Sequence, residues 1–191
     1  MALPTTVILI TGHPATGKTT LARLLAEELG LPLLHRDGMK ETLADTLGWS
    51  DDEWSLKLGA ATWELLYHLV ETLLRANVSQ VVESNFSPKH ASPRWQQLHT
   101  RYQPQIIQLR CEADPDVVLA RFHGRVETGD RHPIHRYTTD TAGYRSVLEQ
   151  GHLGWIEVPG ERISIDTNAL DKPAYQGIAA QLRRYLTESP S

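Results

Sequence analysis

The sequence predicts an α/β protein built on a parallel β-sheet, and two observations support this prediction. Short apolar runs of strand length alternate with longer amphipathic stretches of helical periodicity. The first apolar run, residues 7–10, has no alternation of polar and apolar side chains, which is typical of a central strand buried on both faces. The 191 residues contain neither repeats nor a low-complexity segment. We therefore expect a single domain over residues 1–191.

Each element follows from the spacing of apolar residues and from start and stop signals such as Asp114-Pro115 and Gly30. The predicted strands are residues 7–10, 33–35, 80–83, 106–110 and 163–165. The predicted helices are residues 19–29, 38–47, 55–75, 114–123 and 174–186. In the longest of these helices the face expected to be buried comprises Leu58, Thr62, Leu65, Leu66, Leu69 and Leu73.

Composition excludes several classes of protein. The chain is 40% hydrophobic and 22% charged, which is ordinary for a globular protein and argues against disorder. Its longest aliphatic run is too short to cross a bilayer, so we expect neither a membrane span nor a signal peptide. A net charge of −4 argues against bulk electrostatic binding of nucleic acid. Cys111 is the single cysteine, which leaves no partner for an internal disulfide and indicates a cytoplasmic location.

The segment from Gly12 to Thr19 matches the phosphate-binding pattern G-x-x-x-x-G-K-[ST] in full. Glycines let the backbone curl so that its N–H groups point at phosphate oxygens, and the following helix adds its positive N-terminal end. We expect Lys18 to contact the β- and γ-phosphates of ATP and the Thr19 hydroxyl to hold Mg²⁺. The predicted nucleotide-binding residues are Gly12, His13, Pro14, Ala15, Thr16, Gly17, Lys18, Thr19 and Thr20, together with Arg121.

Carboxylates follow the second and third predicted strands, where function collects in a parallel sheet. Asp37 could accept the proton of a substrate hydroxyl, or it could only cap the helix from Gly38. Lys40 could hold a polar part of the substrate, or it could be a solvated lysine. Glu83 could organise Mg²⁺ or bind substrate, with Asn85 beside it, or it could simply face solvent at the strand end.

Arginines cluster between residues 121 and 136, in a stretch where the helical pattern breaks. We expect an exposed arginine-rich lid over about residues 123–137, with Arg125 and Arg131 as the catalytic pair facing the transferred phosphate. A solvated basic loop is the alternative. His132 and His135 lack a third ligand at a fixed spacing, so neither a metal site nor a catalytic imidazole is expected there.

These residues together resemble the P-loop kinases of the polynucleotide-kinase-like, AAA_33 predicted-kinase group, relatives of zeta-toxin kinases and chloramphenicol phosphotransferase. The resemblance implies a three-layer α/β/α sandwich with five parallel strands, Mg-ATP as donor and a hydroxyl acceptor. It also implies that Asp37 is the family's catalytic carboxylate. Two departures from the family pattern weaken the case for a polynucleotide substrate. Lys40 stands where nucleic-acid 5′-kinases usually have arginine, and Glu83 stands where many relatives have aspartate. The resemblance is carried by the 12–19 loop, Asp37 with Lys40, Glu83-Ser84-Asn85-Phe86, and residues 114–125 leading into Arg131-His132-Pro133.

Three functions are consistent with these features. We favour an ATP-dependent phosphotransferase acting on a hydroxyl of a small molecule such as a sugar, a nucleoside or an antibiotic. A polynucleotide 5′-hydroxyl kinase is the first alternative, although no aromatic-basic stripe accompanies the acidic charge. A nucleotide-dependent switch is the second, but Asn168-Ala169-Leu170-Asp171 lacks the lysine of N-K-x-D. Trp49, Trp54 and Trp63 either wall an acceptor pocket or pack helices, with packing favoured, and the adenine is expected near residues 167–173.

Overall fold

Five short strands, all parallel, form one sheet in the order β2-β3-β1-β4-β5. The computed structural model describes residues 4–128, 132–135, 141–169 and 171–187. β1 lies at the centre, paired with β3 from Val7–Gln80 to Ile10–Glu83 and with β4 from Thr6–Gln105 to Thr11–Arg110. The strands are β1 (Thr6–Thr11), β2 (Leu33–His35), β3 (Gln80–Glu83), β4 (Gln105–Glu112) and β5 (Glu161–Asp166).

Helices cover both faces of this sheet and produce the predicted three-layer α/β/α sandwich. On one face, the sheet packs against α3, α4 and the buried residues Ile156 and Val158. On the other face, it packs against α1 and α7. The helices are α1 (Lys18–Leu29), α2 (Arg36–Leu47), α3 (Asp52–Arg75), α4 (Pro88–Tyr102), α5 (Pro115–Glu127), α6 (Thr141–Glu149) and α7 (Lys172–Thr187). None of the described helices is long and apolar enough to cross a membrane.

Several predicted elements need correction. The sequence pattern missed α4, whose buried face includes the small residues Ala91 and Ser92 and which contains Pro93. It also missed α6. In α3, Leu65 and Leu69 are exposed, because the buried face is rotated toward Tyr67, Val70 and Leu74 and away from the leucine stripe.

The connection before β5 had no assigned role in the sequence, yet it completes the core beside β4. The buried Gln108 side chain donates to the Ile156 carbonyl and accepts from the Ile156 N–H, both at 3.0 Å. The guanidinium of Arg110 lies 4.2 Å from the ring centre of Trp155 and donates to the Leu153 carbonyl. These contacts fix the connection against the sheet and satisfy a buried amide side chain.

Candidate functional site

The 12–17 loop follows β1 directly and bends into α1. Gly12 has a φ of 153°, and a Cβ there would lie 2.6 Å from Thr16 Oγ1 and 2.7 Å from the Cys111 carbonyl. Gly17 has a φ of 85° and is the N-cap of α1. Both positions favour glycine on backbone grounds, and Gly12 also does so because no space remains for a side chain. The loop thus has the tight turn that the phosphate-binding motif requires.

Contacts from distant parts of the chain hold this loop in place. The Thr167 hydroxyl donates to the Thr16 carbonyl at 2.7 Å, and the Tyr144 hydroxyl donates to the Pro14 carbonyl at 2.7 Å. The His13 ring lies 2.9 Å from the Gly151 carbonyl, and burial lowers its pKa. His13 was predicted to bind nucleotide. In the structure its side chain braces the loop, so only its backbone is available for phosphate contacts.

Glu83, at the end of β3, is the centre of a buried polar network. Its Oε2 accepts from the Thr19 hydroxyl at 3.0 Å and lies 3.1 Å from His35 Nε2. Its Oε1 lies 3.8 Å from Lys18 Nζ. The alternative of a solvent-facing strand-end acid is therefore wrong, since Glu83 is 1% exposed. Thr19 and Glu83 together offer the oxygen ligands that Mg²⁺ prefers.

His35 belongs to this network although the sequence analysis did not identify it. Its Nδ1 accepts the Gly38 N–H at 3.3 Å, which caps α2. The ring proton is therefore on Nε2, which faces Glu83. Gly38 is suited to this arrangement, because a Cβ there would lie 2.8 Å from His35 Nδ1. The signal that could have revealed it is the position of His35 at the end of β2, two residues before Asp37.

A cavity of about 670 Å³ opens above the loop at the carboxyl ends of the strands. Because β2 and β5 are at opposite edges of the sheet, the cavity has two distinct ends. The α2 end is lined by His35, Asp37, Glu41, Asn85 and His135, and the α7 end by Arg121, Thr167 and Tyr175. The remaining lining residues come from the loop, α1 and the end of α5: Pro14, Ala15, Gly17, Lys18, Thr19, Thr20, Arg23, Gly124, Arg125 and Thr128.

Asp37 lies in the first turn of α2 and faces this cavity. It does not cap the helix, because α2 begins at Arg36 and His35 is the N-cap. Burial alone would raise the pKa of Asp37, but the positive charges of His135, Lys18 and Arg36 outweigh burial and lower it. Asp37 is therefore an ionised carboxylate directed at the space beside the loop.

Lys40 was predicted to hold substrate or to be a solvated lysine, and the substrate role stays a prediction. Its ammonium donates to Ser55 Oγ at 2.9 Å, and Lys40 is not among the residues that line the cavity. Burial and the neighbouring Arg36 lower the pKa of Lys40. Position 40 is one turn beyond Arg36 on α2, so its side chain reaches α3. Asn85 was also predicted to bind substrate, and it does line the cavity.

The arginine-rich segment differs from the expected loop. Residues 123–127 continue α5, so Arg125 reaches the cavity from a helix. Arg121 donates to the carbonyls of Thr167 and Asn168 at 2.7 and 3.0 Å, which ties α5 to the loop after β5. Arg131, the other predicted phosphate-facing residue, lies outside the described residues, as do 129–130 and 136–140 of the predicted lid and its surroundings.

Residues 132–135 dock onto α2, where the sequence predicted an exposed loop with no core contacts. Ile134 is fully buried against Ala44 and Leu58, and its carbonyl accepts from Ser55 Oγ at 3.1 Å. The flanking imidazoles face carboxylates of α2. His132 Nε2 lies 3.0 Å from Asp45 Oδ1, and His135 Nε2 lies 2.9 Å from Glu41 Oε1.

The three tryptophans do not wall the cavity. Trp63 packs against Tyr67 and Phe86 in the core. Trp49 packs against the cluster around Ile134, and Trp54 is 41% exposed. None of the three is among the residues that line the cavity, so the packing interpretation is the better one. Within the described residues, no three His, Cys, Asp or Glu side chains are grouped as in a protein-only metal site.

Comparison with known proteins agrees with this geometry. The family model AAA_33, described as an AAA domain, matches residues 7–146. The chain belongs to the AAA_33 family. A solved structure described as a “putative kinase” from Chloroflexus aurantiacus is 38% identical to this AAA_33 chain, with a TM-score of 0.88 over 95% of this chain and 98% of that one. No curated protein sequence matches.

Two more distant structures share the fold of this AAA_33 protein. One is the APS kinase of Mycobacterium tuberculosis in complex with AMPPNP and APS, 18% identical, with a TM-score of 0.56 over 98% of this chain and 100% of that one. The other is the shikimate kinase of Acinetobacter baumannii in complex with shikimate, 19% identical, with a TM-score of 0.55 over 97% and 94%. The predictions of a five-stranded parallel P-loop fold and of a kinase are confirmed. A relationship to zeta toxins or chloramphenicol phosphotransferase stays a prediction.

Proposed function

We propose that this AAA_33 protein transfers the γ-phosphoryl group of ATP to a hydroxyl of a small molecule. The observation that carries the proposal is the position of Asp37. Its carboxylate faces the same cavity as the phosphate-binding loop, and Lys18 is near enough to help lower its pKa. The similar structures include kinases solved with APS or with shikimate, which is consistent with a small acceptor.

In this reaction the acceptor oxygen forms a bond to the γ-phosphorus while the bond from that phosphorus to the β–γ bridging oxygen breaks. ADP leaves with the electron pair of the broken bond, and the hydroxyl proton passes to Asp37. A carboxylate with a lowered pKa is a weak base. Asp37 therefore orients the hydroxyl in the ground state and takes its proton late, which suits the loose transition state of phosphoryl transfer.

The remaining residues have supporting roles in this proposal. The backbone of residues 12–20 holds the phosphates, and Lys18 contacts the β- and γ-phosphate oxygens. Thr19 and Glu83 would hold Mg²⁺, which supplies charge neutralisation at those oxygens. Arg125 faces the transferred group from α5, and we propose Arg131 as its partner there. Arg121 supports the α7 end, where we place the adenine.

The test is consumption of ATP with Mg²⁺ in the presence of a panel of sugars, nucleosides and hydroxylated antibiotics, with wild type and Asp37→Asn in parallel. The substitution keeps the size of the side chain but removes the proton acceptor, so acceptor-dependent turnover should fall about 10²–10⁴-fold. Nucleotide binding, followed by titration with a fluorescent ATP analogue, should stay within about threefold of wild type, because Asp37 does not belong to the loop.

The matched control is Asp45→Asn. Asp45 lies two turns further along α2 and is largely exposed, outside the cavity. The Asp45→Asn substitution should leave acceptor-dependent turnover unchanged. If Asp37→Asn retains acceptor-dependent turnover, Asp37 is not the base and the proposed mechanism is wrong. If 5′-hydroxyl oligonucleotides alone stimulate turnover, the polynucleotide-kinase alternative replaces the small-molecule proposal.

A further inference from the structure

Glu41 contributes a second carboxylate to the α2 end of the cavity, and the reaction proposed above does not use it. Glu41 follows Asp37 by four residues on α2, and side chains at this spacing share one face of a helix with Cβ atoms about 5–6 Å apart. Both residues line the cavity. The Glu41 side chain is 37% exposed, so it is accessible to a molecule that enters beside the loop.

His135 pairs with this carboxylate from the other side. Its Nε2 lies 2.9 Å from Glu41 Oε1, its side chain is buried, and it also lines the cavity. The buried Ile134 fixes the backbone of this segment against α2. Glu41 and His135 therefore form a rigid polar pair one helical turn from the carboxylate that faces the reacting hydroxyl.

The charges at the α2 end disfavour an anionic acceptor. Two carboxylates, Asp37 and Glu41, face the space that the acceptor would occupy. The neighbouring cations of α2 are not among the residues that line the cavity, and both have partners within the protein. Arg36 donates to the Gly59 carbonyl at 3.1 Å, lies over the Trp63 ring at 4.4 Å, and has its Nη1 3.5 Å from Asp37 Oδ1. Lys40 donates to Ser55.

Hydroxyl groups suit this end of the cavity. Ionised carboxylates only accept hydrogen bonds, and a hydroxyl both donates and accepts. Asn85, which also lines the α2 end, can do either. A molecule with two hydroxyls a few ångströms apart could donate one to Asp37 and the other to Glu41, and it could accept from the Asn85 amide.

We propose that Glu41, paired with His135, binds a second hydroxyl of the acceptor and makes the enzyme selective for uncharged polyhydroxylated molecules, such as neutral sugars, cyclitols or nucleosides. This inference rests on the proposed function, because it assigns Asp37 to the hydroxyl that is phosphorylated. Glu41 is a specificity residue, so it should act on acceptor binding and little on the chemical step.

The experiment compares wild type, Glu41→Gln and Asp45→Asn with Mg-ATP and two sets of probes. The neutral probes are D-glucose, D-ribose, myo-inositol and adenosine, and the acidic probes are D-gluconate and shikimate. Wild type should phosphorylate at least one neutral probe. Its kcat/KM for each acidic probe should be lower than its kcat/KM for that neutral probe. Glu41→Gln should raise the KM for that neutral probe about 10-fold or more, the effect of losing a hydrogen bond to a charged group, with kcat within about threefold.

Asp45→Asn separates binding from loosening of the segment. Asp45 also holds residues 132–135 to α2, through His132, but outside the cavity. The KM of Asp45→Asn for the neutral probe should match that of wild type. A series of deoxy analogues of the active probe sharpens the assignment. The analogue that lacks the hydroxyl bound by Glu41 should bind wild type weakly, and Glu41→Gln should not weaken its binding further.

Several outcomes would overturn one or both of the proposals. A KM for Glu41→Gln equal to that of wild type, or equal changes in Glu41→Gln and Asp45→Asn, overturns the role of Glu41 and leaves the kinase proposal standing. Preference of wild type for gluconate or shikimate overturns the charge argument in the same way. Absence of acceptor-dependent ATP consumption with every probe, while nucleotide still binds, overturns the small-molecule kinase proposal itself and this inference with it.

Discussion

The phosphate-binding loop and the α2 end of the cavity both lie at the carboxyl ends of strands, but they are built in different ways. The loop comes from consecutive residues and presents its backbone, while the Thr167 and Tyr144 hydroxyls donate hydrogen bonds to its carbonyls. The α2 end presents side chains from separate elements. Glu41 and His135, which touch there, are 94 positions apart in the sequence.

This difference has a functional consequence. A backbone site binds the phosphates that all nucleoside triphosphates share, and it changes little when nearby side chains change. A side-chain site can be altered one residue at a time without disturbing the loop. We therefore expect selectivity for the acceptor to depend on α2 and residues 132–135, and the following predictions test whether the two parts are separable.

The largest effect is expected from Ile134→Ala. Ile134 is fully buried against Ala44 and Leu58, so its truncation should lower the free energy of unfolding by about 2–5 kcal/mol, measured by urea denaturation. The KM for a neutral acceptor should also rise, because His135 is the next residue. Nucleotide affinity should not change.

The control for Ile134→Ala is Val147→Ala on α6, where the side chain is 45% exposed and little stability should be lost. Equal weakening of nucleotide and acceptor binding by Ile134→Ala would mean that the two ends of the cavity are not separable.

His35→Ala addresses the residue that joins the two parts. His35 caps α2 through Nδ1 and supports Glu83 through Nε2. Loss of such a supporting contact should weaken the apparent affinity for Mg²⁺ in the ATP-consumption assay about 10–100-fold. His35→Gln keeps a donor toward Glu83 and should recover part of the loss, whereas the exposed His68→Ala on α3 should match wild type. A normal Mg²⁺ dependence in His35→Ala would contradict a positioning role.

The smallest effect is expected in the pH profile. Asp37 must be ionised to accept a proton, and its pKa is lowered, so kcat/KM should fall only when the pH drops below the ordinary aspartate range. His135→Ala removes the first of the positive charges that lower this pKa. The acid limb of the profile should then move to higher pH.

The exposed His123→Ala on α5 is the control for the pH profile and should leave the acid limb in place. An acid limb that is the same in wild type and His135→Ala would show that the charge of His135 does not reach Asp37.

Sequence reasoning predicted the loop, the five strands and the carboxylates of Asp37 and Glu83 because each depends on local order. It treated residues 132–135 as an exposed loop, which was wrong for the buried Ile134, and it did not predict that Lys40 donates to Ser55. The direction of a side chain on α2 depends on the neighbouring helix. The burial of Ile134 depends on a surface formed by Ala44 and Leu58, which are distant in sequence.

The sequence by itself determined the phosphate-binding loop motif and its local backbone. A contiguous glycine-rich turn between a buried strand and a helix can form in one way, because Gly12 and Gly17 adopt backbone conformations that favour glycine. Only the tertiary structure decided which side chains line the α2 end of the cavity. Packing turned Lys40 toward Ser55 and brought His135 to Glu41, and these contacts arise from long-range burial that no local pattern encodes.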